Sequence, residues 1–105
     1  MDKKKVQKSI ALFTKRVKKI LKPRQVLLFG SYATGTADEY SDVDVLVISD
    51  RFTSIPQEER LDVLYPMTKD LIPDFHVFGF TPGEYEAMSP LVSLAEVKYS
   101  GRPLL

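Results

Sequence analysis

The chain has 105 residues, 44% hydrophobic and 28% charged, a balance that excludes disordered and collagen-like classes and leaves room for one globular domain but not for a second, substrate-binding one. Its longest purely apolar runs, Val26 to Phe29 and Val45 to Ile48 among them, are four residues against the roughly 20 that cross a bilayer, and the absence of cysteine excludes a disulfide framework, a zinc–thiolate site and a thiol nucleophile. The formal net charge of +1 hides an asymmetry: residues 1–24 hold ten of the fifteen basic residues and one acid, Asp2, whereas residues 25–105 hold five basic and thirteen acidic ones.

In chain order, Val6, Ile10, Phe13, Val17, Ile20 and Leu21 recur at three- and four-residue steps, which predicts a basic amphipathic helix over 1–22 that Pro23 stops. Such a lysine-rich face is expected to meet water, with an RNA-binding role as the weaker alternative. Behind Lys3 to Lys5 the apolar stretch is only Ile10 to Phe13 before Lys15 breaks it, so no secretory leader is expected and the cytoplasm is the expected location. Gln25 to Phe29 reads as a first strand running into a tight Gly30-Ser31 turn. Val43, Val45 and Val47 alternate with Asp42, Asp44, Leu46 and Ile48, the pattern of a central strand with carboxylates at its mouth. Pro56 and the acids after it open a helix that Pro66 should kink or end. Asp74 to Phe80 is a third strand, Thr81-Pro82 caps a helical tail, and a last short helix should end at Gly101. The expected division is a basic helix over 1–22, a core over 25–80 and a tail over 81–105.

The chemistry concentrates where the first two strands begin and end. On a strand, residues i and i+2 face the same way with Cβ atoms about 7 Å apart, so the carboxylates of Asp42 and Asp44 converge on one site. Two such charges repel and are tolerated best with a hard cation such as Mg²⁺ between them. Two Mg²⁺ ions bridged by carboxylates are apparatus for phosphoryl or nucleotidyl transfer. Gly30 permits a close backbone approach, and the Ser31 hydroxyl with the amides of the next turn offers donors to phosphate. Tyr32 either packs or lines the nucleotide pocket.

Gly30-Ser31-Tyr-Ala-Thr-Gly35 followed by Ser41-Asp42-Val43-Asp44-Val45-Leu46-Val47 resembles the signature of the minimal nucleotidyltransferases of the DNA polymerase β-like superfamily, over residues 25–80. The resemblance implies an α/β fold, a polymerase β-like core with a short mixed central sheet and flanking helices. It also implies two Mg²⁺ ions and the triphosphate of ATP or another NTP, with NMP moved to an acceptor hydroxyl. Matched position by position, Asp42 and Asp44 are the metal ligands and Asp74 the third carboxylate, which also helps activate the attacking hydroxyl. Gly30 and Ser31 form the phosphate-contacting turn, and Tyr32, Gly35 and Ser41 complete the nucleotide-binding set. Many relatives of this size are antitoxins paired with a helical HEPN ribonuclease toxin, and some adenylylate it. With only about 25 residues after the third strand, the acceptor is expected to come from such a protein partner.

Two departures shape the alternatives. Relatives often place arginine where Thr34 stands and another basic residue near Ala37, and the stretch from Tyr32 to Ser41 has no basic residue at all. Triphosphate charge would then have to be met by Arg51, Lys98 or Arg102 folding back. The competing expectation is a non-catalytic antitoxin of the same fold that neutralises its partner by binding. His76 would share a strand face with Asp74, where it is either packed or in a proton-transfer role. Ser41 can orient the loop backbone as well as a ligand.

Overall fold

The computed structural model describes residues 3–89, 91 and 93–105. The amphipathic helix runs over Lys3–Leu21 (α1), burying Val6, Phe13, Val17 and Leu21, whereas Ile20, part of the expected stripe, is half exposed. It ends where Lys22 turns to φ +42° ahead of Pro23. The first strand is Gln25–Phe29 (β1), followed by the one-turn helix Ser31–Thr34 (α2) and by Val43–Ile48 (β2). Phe75–Phe80 (β3) starts one residue later than expected. Between β2 and β3 lie a 3-10 turn over Asp50–Ser54, a helix over Gln57–Leu64 (α3) and a second 3-10 turn over Tyr65–Thr68. The break falls beside Pro66, which cannot donate the next helical hydrogen bond.

The sheet order is β3-β2-β1 with a further strand, Arg102–Pro103 (β4), on the outer edge of β1. Strands β1 and β2 are antiparallel, with Phe29 opposite Asp44, while β2 and β3 are parallel, with Asp44 opposite His76. The sheet is therefore mixed, and both β1 and β2 are internal. Strand alternation divides its side chains into two cores. Val26, Leu28, Val43, Val45, Val47, Phe75 and Val77 face α1, with Phe52, Leu64 and Met67 filling the gaps. Leu27, Phe29, Leu46 and Ile48 face the other way, against Phe78, Phe80, Tyr85, Leu94 and Val97. Burial of both faces explains why β2 is apolar at nearly every position, and it isolates Asp44 as the strand's exception.

The tail supplies the cover on the second face. Pro82–Glu86 (α4) begins with a capping box: the Glu84 amide donates to the Thr81 hydroxyl at 3.2 Å, and the Thr81 amide to the Glu84 carboxylate at 2.7 Å. A 3-10 turn over Ser93–Glu96 and a helix over Val97–Ser100 (α5) follow. Gly101 ends α5 with its amide on the Val97 carbonyl at 2.9 Å, and a Cβ there would strike that same oxygen. Strand β4, unforeseen from its two-residue length, pairs Leu27 with Pro103 and Leu28 with Arg102. Among the described residues no helix is long and apolar enough to cross a membrane.

Candidate functional site

The C-terminal end of β1 and the N-terminal ends of β2 and β3 meet at one end of the sheet, on the face away from α1. Gly30 leaves β1 at φ +72°, ψ −156°, a combination practically confined to glycine. A Cβ at this position would collide with the Asp44 carboxylate, so the missing side chain is what gives that carboxylate its seat. Asp44 projects from β2 and Asp42 from the residue just before that strand, and His76 of β3 reaches between them. The imidazole Nε2 lies 3.2 Å from Asp42 Oδ2 and its Nδ1 3.3 Å from Asp44 Oδ1. The histidine side chain is 60% exposed, so it is not the packed core residue that one of the two expectations described.

Burial raises the Asp44 carboxyl above the ordinary aspartate range, and the negative charges of Asp42 and Glu96 push the same way while His76 opposes them. Glu96 comes from the 3-10 turn of the tail, so the tail brings a further acid to this end of the sheet. Asp74 is exposed and precedes β3, where its carbonyl accepts from the Val43 amide at 2.9 Å. Its backbone thus stands beside Asp42 in the parallel register. Among the described residues no three His, Asp or Glu side chains are already gathered round a common point as metal ligands, because the imidazole stands between the two carboxylates rather than beside them.

The remaining sequence-identified residues are distributed unequally around this centre. Ser31 opens α2 directly after Gly30. Tyr32 packs against the core on the α1 side and, with Gly35 and Ala37, lines a cavity of about 480 Å³ there, across the sheet from the aspartates. Gly35 takes φ +81° as the left-handed end of α2. The Ser41 hydroxyl accepts from the Asp38 amide at 2.9 Å and donates to the Asp38 carboxylate at 3.2 Å, holding the loop that feeds β2. Thr34, standing where a guanidinium was expected, shares a 3.0 Å hydrogen bond with Thr36.

None of the three candidate cations folds back onto the aspartates. Arg51 donates to the Ile20 carbonyl at 2.6 Å, at the opposite end of the sheet. Lys98 lies 5.1 Å over the Tyr85 ring. Arg102 borders the cavity beside Tyr32 and a larger groove of about 820 Å³ on the α1 side, whose rim also carries Lys15, Lys18 and Lys19. Sequence reasoning missed the link from His76 to both aspartates because it depends on the parallel pairing of β2 with β3. The available signal was the matched alternation of Asp42-Val-Asp44 with Asp74-Phe-His76.

Comparison with known proteins adds an independent line. The family model described as "Nucleotidyltransferase domain" matches residues 10–88. Two Methanocaldococcus jannaschii proteins are similar over about half of this chain. "Putative protein adenylyltransferase MJ0141" is 41% identical over 51 residues, which make up 47% of this chain and 52% of that protein. "Putative protein adenylyltransferase MJ1305" is 46% identical over 50 residues, 48% of this chain and 31% of that protein. The match thus spans about half or less of these relatives' length. A crystal structure of a "putative nucleotidyltransferase" from Sulfolobus solfataricus superposes with a TM-score of 0.68 at 15% identity, covering 93% of this chain and 78% of that one, a likeness of fold.

Proposed function

Because the chain belongs to the nucleotidyltransferase domain family, we propose that it moves a nucleoside monophosphate from an NTP, with ATP as the expected donor, to a hydroxyl group of a partner protein. The observation that carries this reading is the pair of carboxylates, Asp42 just before β2 and Asp44 within it, brought together at His76 at the open end of the sheet with Gly30 making room for the second. A protein acceptor is supported by the names of the Methanocaldococcus relatives.

The residues fit a divalent cation. Two like charges held on one face repel each other, one of them against the pull of burial, and hard carboxylate oxygens are the donors such ions take. Asp42 and Asp44 would hold the ion, Mg²⁺ being the expected one and a pair of ions with Asp74 as third carboxylate the fuller arrangement. When bound, it supplies charge neutralisation to the phosphates and the leaving pyrophosphate. Gly30 and Ser31 bring the backbone and a hydroxyl to the triphosphate. The acceptor oxygen bonds to the α-phosphorus, the bond from that phosphorus to the pyrophosphate oxygen breaks, and the hydroxyl proton passes to a carboxylate at the mouth of β3, which is Asp74 in this reading. A HEPN-type toxin is the partner we propose, with this chain as its antitoxin.

One observation favours a second reading, a binding module without turnover. Arg51 and Lys98 are engaged elsewhere, Arg102 lies across the sheet, and the loop from Tyr32 to Ser41 contributes no cation toward a triphosphate. The two readings separate in one assay: the chain with its copurifying proteins, α-labelled ATP and a divalent salt, beside the Asp44→Asn variant. Label on a protein that disappears in the variant supports transfer. A stable complex that takes no label from ATP, GTP, CTP or UTP supports the binding module.

A further inference from the structure

The groove of about 820 Å³ on the α1 side runs along the helix from Gln7 to Lys19 and is bounded across from it by Leu28 and the segment Arg102 to Leu104. At a rise of about 1.5 Å per residue that stretch of α1 is about 18 Å long, room for a helix of three turns. Its floor is aliphatic. Leu28 is buried beneath it, and Ile10 and Leu104 pack against the main core yet stay half-buried, each with a flank left to the groove. Charge is in excess at one end only, where Lys15, Lys18 and Lys19 line the groove with no acid among them. Among the described residues none of these three ammonium groups has an ion-pair partner. At the other end the groove joins the cavity of about 480 Å³, where Arg102 and Lys3 are balanced by Asp38 and Glu39.

This layout selects among occupants. A single nucleic-acid strand needs cations along its whole track and rings on which bases stack. The larger groove has no aromatic residue in its lining, and past Arg102 a phosphate chain would meet Asp38 and Glu39. An added β-strand is disfavoured as well, since Pro103 gives β4 no N–H at one of its two positions. We infer that the groove docks an amphipathic helix of a partner protein, with an aliphatic stripe over Ile10, Leu28 and Leu104 and carboxylates at the end beside Lys15, Lys18 and Lys19. The inference rests on the proposed function only for there being a protein partner, and no step of the transfer passes through the groove. A grip on the face opposite the aspartates leaves the acceptor segment of the same partner free to enter the site.

A displayed library of random peptides about twelve residues long, the length that fills three turns, tests this when panned on the full chain without nucleotide. Enriched sequences should carry aliphatic residues at three- and four-residue steps and Asp or Glu clustered at one end. A fluorescent peptide of that kind should bind about tenfold or more weaker to the double variant Lys15→Glu, Lys19→Glu, where like charges face each other. Ala11→Gln, which fills the groove from an exposed helix position, should weaken it too. The Tm of both variants should stay near the native value. No enrichment, enriched peptides without an acidic end, affinity unchanged in the lysine variant, or an oligouridine strand that binds tighter than the peptide and displaces it would each overturn the inference. The groove and the transferase fail separately. Labelling of a partner at an undiminished rate in the lysine variant would sink the groove and keep the transferase, whereas peptide binding that persists in a chain unable to transfer from any NTP would do the reverse.

Discussion

Strands β2 and β3 have two ends, and the polar groups at those ends are treated in opposite ways. At the end opposite the aspartates, the buried Ser49 hydroxyl donates to the Leu21 carbonyl at 2.7 Å and Arg51 donates to the Ile20 carbonyl, which together close the C-terminus of α1. Close by, the buried Arg60 spends its guanidinium on the carbonyls of Ile55, Gly79 and Phe52 at 2.9 to 3.1 Å and on the Glu84 carboxylate at 2.5 Å. Every one of these groups has a fixed protein partner. At the aspartate end, two carboxylates share one exposed histidine, and one of them, Asp44, lies against a glycine that cannot be replaced without displacing it. One end is satisfied internally; the other sets two carboxylates against one histidine, an excess of negative charge that favours a cationic ligand.

The sharpest way to break this comparison is to neutralise each end in turn. Asp42→Asn or Asp44→Asn should reduce label transfer by about a thousandfold or more, measured with α-labelled nucleotide. Neither variant should lower the Tm in the presence of a chelator, and Asp44→Asn should raise it, because it removes a charge that burial disfavours. Arg60→Ala should do the opposite, leaving the aspartates in place while costing about 3–5 kcal/mol, since it orphans the three carbonyls and one carboxylate that the guanidinium serves. Denaturant unfolding measures this directly. Arg60→Lys should recover little, because an ammonium cannot serve the same fork of acceptors.

The two ends also differ in how well the sequence reveals them. Gly30, Ser31, Asp42 and Asp44 are legible because a turn glycine and an i, i+2 carboxylate pair are local patterns, and a strand needs no partner to put both acids on one side. The strand spans, the Pro66 break and the Thr81 cap are local for the same reason. His76 and Arg60 are not local. The histidine acquires meaning only through the parallel register that sets it opposite Asp44, and the arginine only through contacts that gather the Asp50–Ser54 turn, α3, β3 and α4. An arginine between Glu59 and Leu61 reads as a solvated helix residue. Strand β4 is hidden for a related reason, since two residues after a glycine carry no alternation and depend on the free edge of β1 to order them.

A subtler break is Gly30→Ala. The φ +72°, ψ −156° backbone costs a Cβ-bearing residue about 1–3 kcal/mol, and the new methyl must also displace the Asp44 carboxylate. Stability and transfer should therefore fall together, unlike in the aspartate variants, and comparing the unfolding midpoint with the labelling rate separates the two classes. Ser49→Ala at the other end should cost about 1 kcal/mol through the stranded Leu21 carbonyl and leave labelling unchanged.

The smallest expected effect is one of pH, and it belongs to the satisfied end. The Arg60 hydrogen bond holds the Glu84 carboxyl below its ordinary value of 4.5, with the Thr81 backbone and hydroxyl acting in the same direction against the opposing effect of burial. A carboxyl whose folded value is depressed contributes stability that is fully present above the unfolded value and is lost as the pH falls through the folded one. Between neutrality and 4.5, native protein and Glu84→Gln should therefore differ in Tm by a constant amount, and below 4.5 the gap should close as Glu84 takes up its proton. Parallel curves down to about pH 3 would show that the guanidinium is held by the three carbonyls alone, with the carboxylate a bystander in solvent.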